Sequence, residues 1–145
     1  MAQAGPWRIH FFERHKSDDA TREVPAITFL ESVPVAVRAE MQAVLEAVAA
    51  APPPSFSGGG KWEVMHDDMA GLYEVRVKGA DRKNHRLFCT LERNADDLGG
   101  PSIVAIDGLS KPVRSAAKPK EYARALKHRD EFKKRRTVLG LDPKG

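Results

Sequence analysis

Apolar residues Val37, Met41, Val44, Leu45 and Val48 recur at i, i+4, i+7, i+8 and i+11, the spacing of one buried helical stripe. Pro34 stands where a first helical turn begins without losing a hydrogen bond, and Pro52-Pro53-Pro54 stops the helix. Pro25 opens a shorter helix over Ala26 to Glu31 in the same way. Ahead of this helical pair, Trp7 to Phe12 alternates loosely and carries aromatics, which predicts a first strand; polar Lys16 to Glu23 reads as loop. Behind it, Ser55 to Gly60 is a flexible loop. Three or four strands follow, at Lys61 to Met65, Leu72 to Lys78, His85 to Glu92 and Ser102 to Asp107. Their short connections predict an antiparallel meander. A closing helix spans about Pro119 to Arg136, with Tyr122, Ala125, Leu126 and Phe132 on one side and Lys120, Arg124, Lys127, Lys134 and Arg135 mostly elsewhere. The order β-α-α-β-β-β-β-α predicts an α+β fold: a small antiparallel sheet packed against helices, ending in a basic C-terminal helix.

With 145 residues the chain reads as a single domain over 1–145, its core over about 7–132 and a basic tail over 133–145. Cys89 is the only cysteine, so an internal disulfide or a multi-cysteine zinc site is excluded, and a reducing, cytoplasmic setting fits. Cys89 alternates with Leu87 and Leu91, the apolar side of its strand, and is expected to be buried. The longest uncharged run, Ala47 to Gly60, is broken by three prolines and is not a membrane span. Charge changes the picture more. Lys111 to Arg136 holds eleven Lys or Arg against three acids, whereas the rest of the chain carries a net −4. Such asymmetry predicts either a polyanionic partner, nucleic acid first, or a solvated helix face with a charged tail.

Alternation along Leu72 to Lys78 puts Tyr73, Val75 and Val77 on one sheet face and Glu74, Arg76 and Lys78 on the other, which is expected to be open. Arg86 begins the next strand, and Lys111 and Arg114 follow the last one. Arg76, Lys78, Arg86, Lys111 and Arg114 can therefore converge on one face, a grouping suited to phosphate. Equally, Arg76 can pair with Glu74 or a cross-strand acid. His85 adjoins Arg86, where it can serve as a general base or stack on a nucleobase; His10, His15 and His128 have no supporting neighbours. Gly58-Gly59-Gly60-Lys61 is not a phosphate loop, because Trp62 follows the lysine and no strand precedes it. No histidine spacing suits zinc, and Glu74, Lys78 and Asp68 have the wrong spacing for a metal-dependent nuclease, so no cofactor is expected.

Gly71-Leu72-Tyr73-Glu74-Val75-Arg76, His85-Arg86-Leu87-Phe88 and Gly108-Leu109-Ser110-Lys111, in that order, resemble the HigB-like branch of the RelE/ParE toxin superfamily, the phage-derived host-growth-inhibition type. The basic helix pattern from Tyr122 to Asp130, the preceding tryptophan strand and the helical pair extend the resemblance over roughly Trp7 to Phe132. It implies a toxin of a type II toxin–antitoxin pair, neutralised by a helix-turn-helix antitoxin and cleaving mRNA on the ribosome without a metal. By matched motif position, Arg76, Arg86 and Lys111 would be the active-site cations, with Lys78, His85, Arg114 and Lys118 as RNA contacts. Pro112 stands where many relatives carry a second lysine, and Asn94 to Gly100 reads as an enlarged loop. The superfamily also contains members that bind DNA gyrase, so a non-catalytic inhibitor or a nucleic-acid-binding phage protein are the alternatives.

Overall fold

The computed structural model describes residues 6–52, 61–114 and 118–140; the predicted loop Ser55 to Gly60 and the end of the tail lie outside them. Five strands, β1 (Arg8–Phe11), β2 (Trp62–Val64), β3 (Tyr73–Lys78), β4 (Lys83–Glu92) and β5 (Ser102–Pro112), form one sheet in the order β1-β5-β4-β3-β2. Helices α1 (Pro25–Ser32) and α2 (Val35–Ala50) follow β1, and α3 (Ala123–Arg135) follows a 3-10 turn at Pro119–Tyr122. The fold is α+β, as the order of elements predicts. The sheet is mixed rather than antiparallel. β2 to β5 make the expected meander, but β1 lies parallel to β5, in register from Arg8↔Ser102 to Phe11↔Ala105. The helical pair between β1 and β2 removes the short-loop constraint that makes neighbouring strands antiparallel.

The α2 stripe buries every residue its spacing selected: Val37, Met41, Val44, Leu45 and Val48. With Phe29 and Leu30 of α1 they cover Val75, Val77, Leu87, Cys89, Ile103 and Ala105 of the sheet. Trp62 caps this core, stacked on Tyr73 with ring centroids 5.2 Å apart. Cys89 is fully buried, and burial pushes its thiol pKa far upward, as befits an inert core sulfur.

The opposite face, expected to be open, is covered at its centre. Leu72, Phe88, Val104 and Ile106 project from it and pack against Ala125 and Phe132 of α3, with Leu98 and Met69 supplied by the 3-10 turns Asp96–Leu98 and Asp67–Met69. The polar alternation of β3 gave little sign of this, because Leu72 precedes β3 and the other apolar side chains come from β4 and β5. Helix α3 buries Ala125, His128, Glu131 and Phe132, a stripe rotated from the expected one. The reason lies in ion pairs: Arg14 grips Glu131 with Nε–Oε1 2.9 Å and Nη2–Oε2 3.0 Å. Arg135 reaches Asp18 at 2.6 Å, and Arg136 reaches Asp97 and Glu92 at 2.7 and 2.9 Å.

Two strands outrun their apolar cores. β4 starts at Lys83 and β5 continues to Pro112, because these polar ends pair with each other, Lys83↔Pro112 and Asn84↔Lys111. A bulge opposite Phe88/Cys89 leaves Ile106 without a partner, so that Asp107 and then Leu109 and Lys111 share the face of Val104 and Ile106. Gly108 is not a turn residue. It sits within β5, and a Cβ there would lie 2.2 to 2.5 Å from the Phe29 ring, so the glycine lets α1 approach the sheet.

Candidate nucleic-acid interface

On the α3 side of the sheet, Arg76 and Arg86 are direct Cα partners across β3 and β4. One row further on, Lys78, Asn84 and Lys111 line up across β3, β4 and β5. Strand register therefore brings together the three cations matched by motif, plus Lys78, at one end of one face. Like charges directly opposite each other cost stability in a sheet. Here Glu74, the next outward residue of β3, offsets that cost. Its carboxylate is nearly sealed, with 4% of the side chain exposed; Oε2 accepts from Arg76 Nη2 at 2.7 Å and Oε1 lies 3.7 Å from Arg86 Nη1. Glu63 on β2 takes a further bond from Arg76 at 3.0 Å. The hydrogen bond to Glu74, opposed by burial, raises the Arg76 pKa above its ordinary value, so this charge is permanent.

The 3-10 turn before α3 closes over the row. Tyr122 Oη accepts from Arg86 Nη1 at 3.0 Å, and its ring meets Phe88 edge-on at 5.7 Å. Glu121 accepts from Lys111 Nζ at 2.7 Å and from the Lys118 backbone N–H at 2.7 Å, and these bonds hold its carboxyl below the usual range. Arg86 Nε and Glu74 Oε1 are buried and make no hydrogen bond among the described residues. The cations are thus fixed in direction by carboxylates and a phenol. A phosphate diester can accept from such a fork without the side chains having to find their positions first.

Other predicted contacts fall differently. Lys78 is exposed on the same face as Arg76, and Arg114 and Lys118 are exposed beyond the end of β5. His85 is a correction. Alternation sends it to the face opposite Arg86, where it is 2% exposed, bonded through Nδ1 to Ser110 Oγ at 2.7 Å and through Nε2 to Asp81 at 3.1 Å. It cannot reach a ligand lying on the arginine row. His128, expected to lack supporting neighbours, has one: Nδ1 bonds Asp107 Oδ2 at 2.7 Å.

Asp107, 1% exposed, also accepts from Arg124 Nε and Nη2, both at 3.0 Å, and from the Gly108 amide at 2.8 Å. Burial works to raise its carboxyl pKa, but the bonds from His128, Arg124 and Gly108 together hold it below the usual carboxylate range. This network ties α3 to β5 and so fixes Tyr122 and Glu121 over the row. A lone acid closing the apolar run Ser102 to Asp107 was the available sign of it. Among the described residues, no three His, Cys, Asp or Glu side chains gather where they could hold a metal ion. No protein-family model, curated protein or solved structure matches the chain.

Proposed function

We propose that this protein is a growth-inhibiting toxin that cleaves ribosome-bound mRNA without a metal, using the row Arg76, Arg86 and Lys111. The observation that carries the reading is the cross-strand pairing of Arg76 with Arg86, held by the buried Glu74 carboxylate, on the face that also presents Lys78 and Lys111. In the reaction the 2′-oxygen attacks the adjacent phosphorus and loses its proton. The bond to the 5′-oxygen breaks, and that oxygen gains a proton, leaving a 2′,3′-cyclic phosphate and a 5′-hydroxyl. The guanidinium and ammonium groups stabilise the doubly charged phosphorane between these steps. Exposed Lys78, Arg114 and Lys118 extend the cationic surface along the RNA backbone. A helix-turn-helix antitoxin that sets carboxylates against the same row is the neutralising partner this reading requires.

The test is to induce the chain in growing cells and map RNA ends. New 5′-hydroxyl ends within translated messages support the reading. Intact mRNA with linearised DNA would instead identify a gyrase-directed inhibitor, and intact RNA and DNA with unimpaired growth would remove the toxin reading altogether.

A further inference from the structure

Beside the arginine row lies a cleft of about 330 Å³, lined by His66, Asp67, Asp68 and Met69 from the β2–β3 turn, by Pro119 and Tyr122 from the 3-10 turn before α3, and by Leu126 of α3. That volume falls in the lower part of the range of small-ligand sites. Tyr122 belongs to both places: its ring lines the cleft and its hydroxyl holds Arg86. The far wall is fixed as well, because Arg129 of α3 donates to the carbonyl oxygens of Asp68 and Ala70 at 3.2 and 3.5 Å.

The lining differs in kind from the row. Met69, Leu126, Pro119 and the Tyr122 ring offer flat apolar contact. Asp67 and Asp68 are exposed, and their carboxylates make no hydrogen bond or ion pair among the described residues. No Lys or Arg lines the cleft, so it disfavours an anion and favours a neutral flat group bearing N–H donors. A ligand with such a group attached to a phosphate matches the cleft and the row together, and a nucleotide has that form. We propose that the cleft is a nucleobase subsite, with the base against Tyr122 and Met69 and its N–H edge toward Asp67 and Asp68. Guanine is the base of choice because it presents two parallel N–H donors to one carboxylate. The proposal rests on the RNA reading of the row, since it names the base next to the bound phosphate.

Guanosine and uridine, which carry no phosphate, separate the two claims, with N-acetyl-arginine amide as a cationic control. Each is titrated while the Met69 methyl resonance is followed by NMR. Guanosine should shift this signal with at least tenfold tighter apparent binding than uridine. The exposed pair Asp67→Asn and Asp68→Asn should lose that preference with the methyl signal of the free protein in place. Equal response to guanosine and uridine, no response to guanosine, survival of the preference in the double variant, or a stronger response to the arginine amide would each overturn the subsite. Guanosine binding in a protein that cleaves no RNA would leave the subsite standing and remove the proposed activity; RNA cleavage without guanosine binding would do the reverse.

Discussion

Glu74 is the residue on which the cationic row depends for its stability. Its buried carboxylate lies between two arginines, and Arg76 supplies the only hydrogen bonds it receives among the described residues. Arg76→Ala therefore strands a buried charge, and a loss of about 2 kcal/mol in unfolding free energy is expected by urea denaturation. A loss of toxicity in that variant mixes chemistry with folding. Lys111 separates them. Its pair with Glu121 is partly exposed, so Lys111→Ala should alter stability by less than about 1 kcal/mol. Asp107 supplies the pH-dependent part. Its folded carboxyl pKa is depressed, so its contribution is complete above the unfolded value of about 3.9 and is lost as pH falls through the folded value. Denaturation of wild type and Asp107→Asn from pH 7 down to pH 2 should show the smaller acid-side loss in the variant. Equal slopes would mean that the His128 and Arg124 bonds do not lower this carboxyl.

At the scale of elements, legibility followed local periodicity. The α2 stripe was readable residue by residue, because proline punctuation and 3.6-residue spacing agree. The meander was readable from its short turns. The parallel β1–β5 pairing was not, since nothing local to Trp7 to Phe12 or Ser102 to Asp107 encodes which edge they share. The docking of α3 escaped for a similar reason: it depends on Asp107 meeting His128 and Arg124, a contact across 17 to 21 residues. In the candidate site, Arg76, Arg86 and Lys111 were found together because strand alternation and register place them. His85 adjoins Arg86 in sequence, but strand alternation puts the two on opposite faces, and Ser110 and Asp81 hold His85 in the interior. Gly108 enters the sequence only as part of a motif, and nothing local to it shows that its missing side chain makes room for Phe29. Gly108→Ala should cost about 1–3 kcal/mol through overpacking, measured by thermal unfolding, and a neutral result would mean that α1 can shift away from β5.

Across the whole molecule, the basic C-terminal segment is less available to a polyanion than its composition suggests. Arg124, Arg129, Arg135 and Arg136 are all engaged by acids or carbonyl groups of the fold, and Lys111 by Glu121. Exposed Lys120, Lys127, Lys133 and Lys134 make no ion pair among the described residues. Much of the apparent excess is thus structural charge that docks α3 and frames the row. The most direct test is the rate at which 5′-hydroxyl ends form in ribosome-bound mRNA, compared for wild type and Lys111→Ala at equal folded concentration. A loss of roughly a hundredfold is expected in the variant, the scale of removing one electrostatic donor from a transition state, at nearly unchanged melting temperature. Equal rates for the two proteins would contradict it.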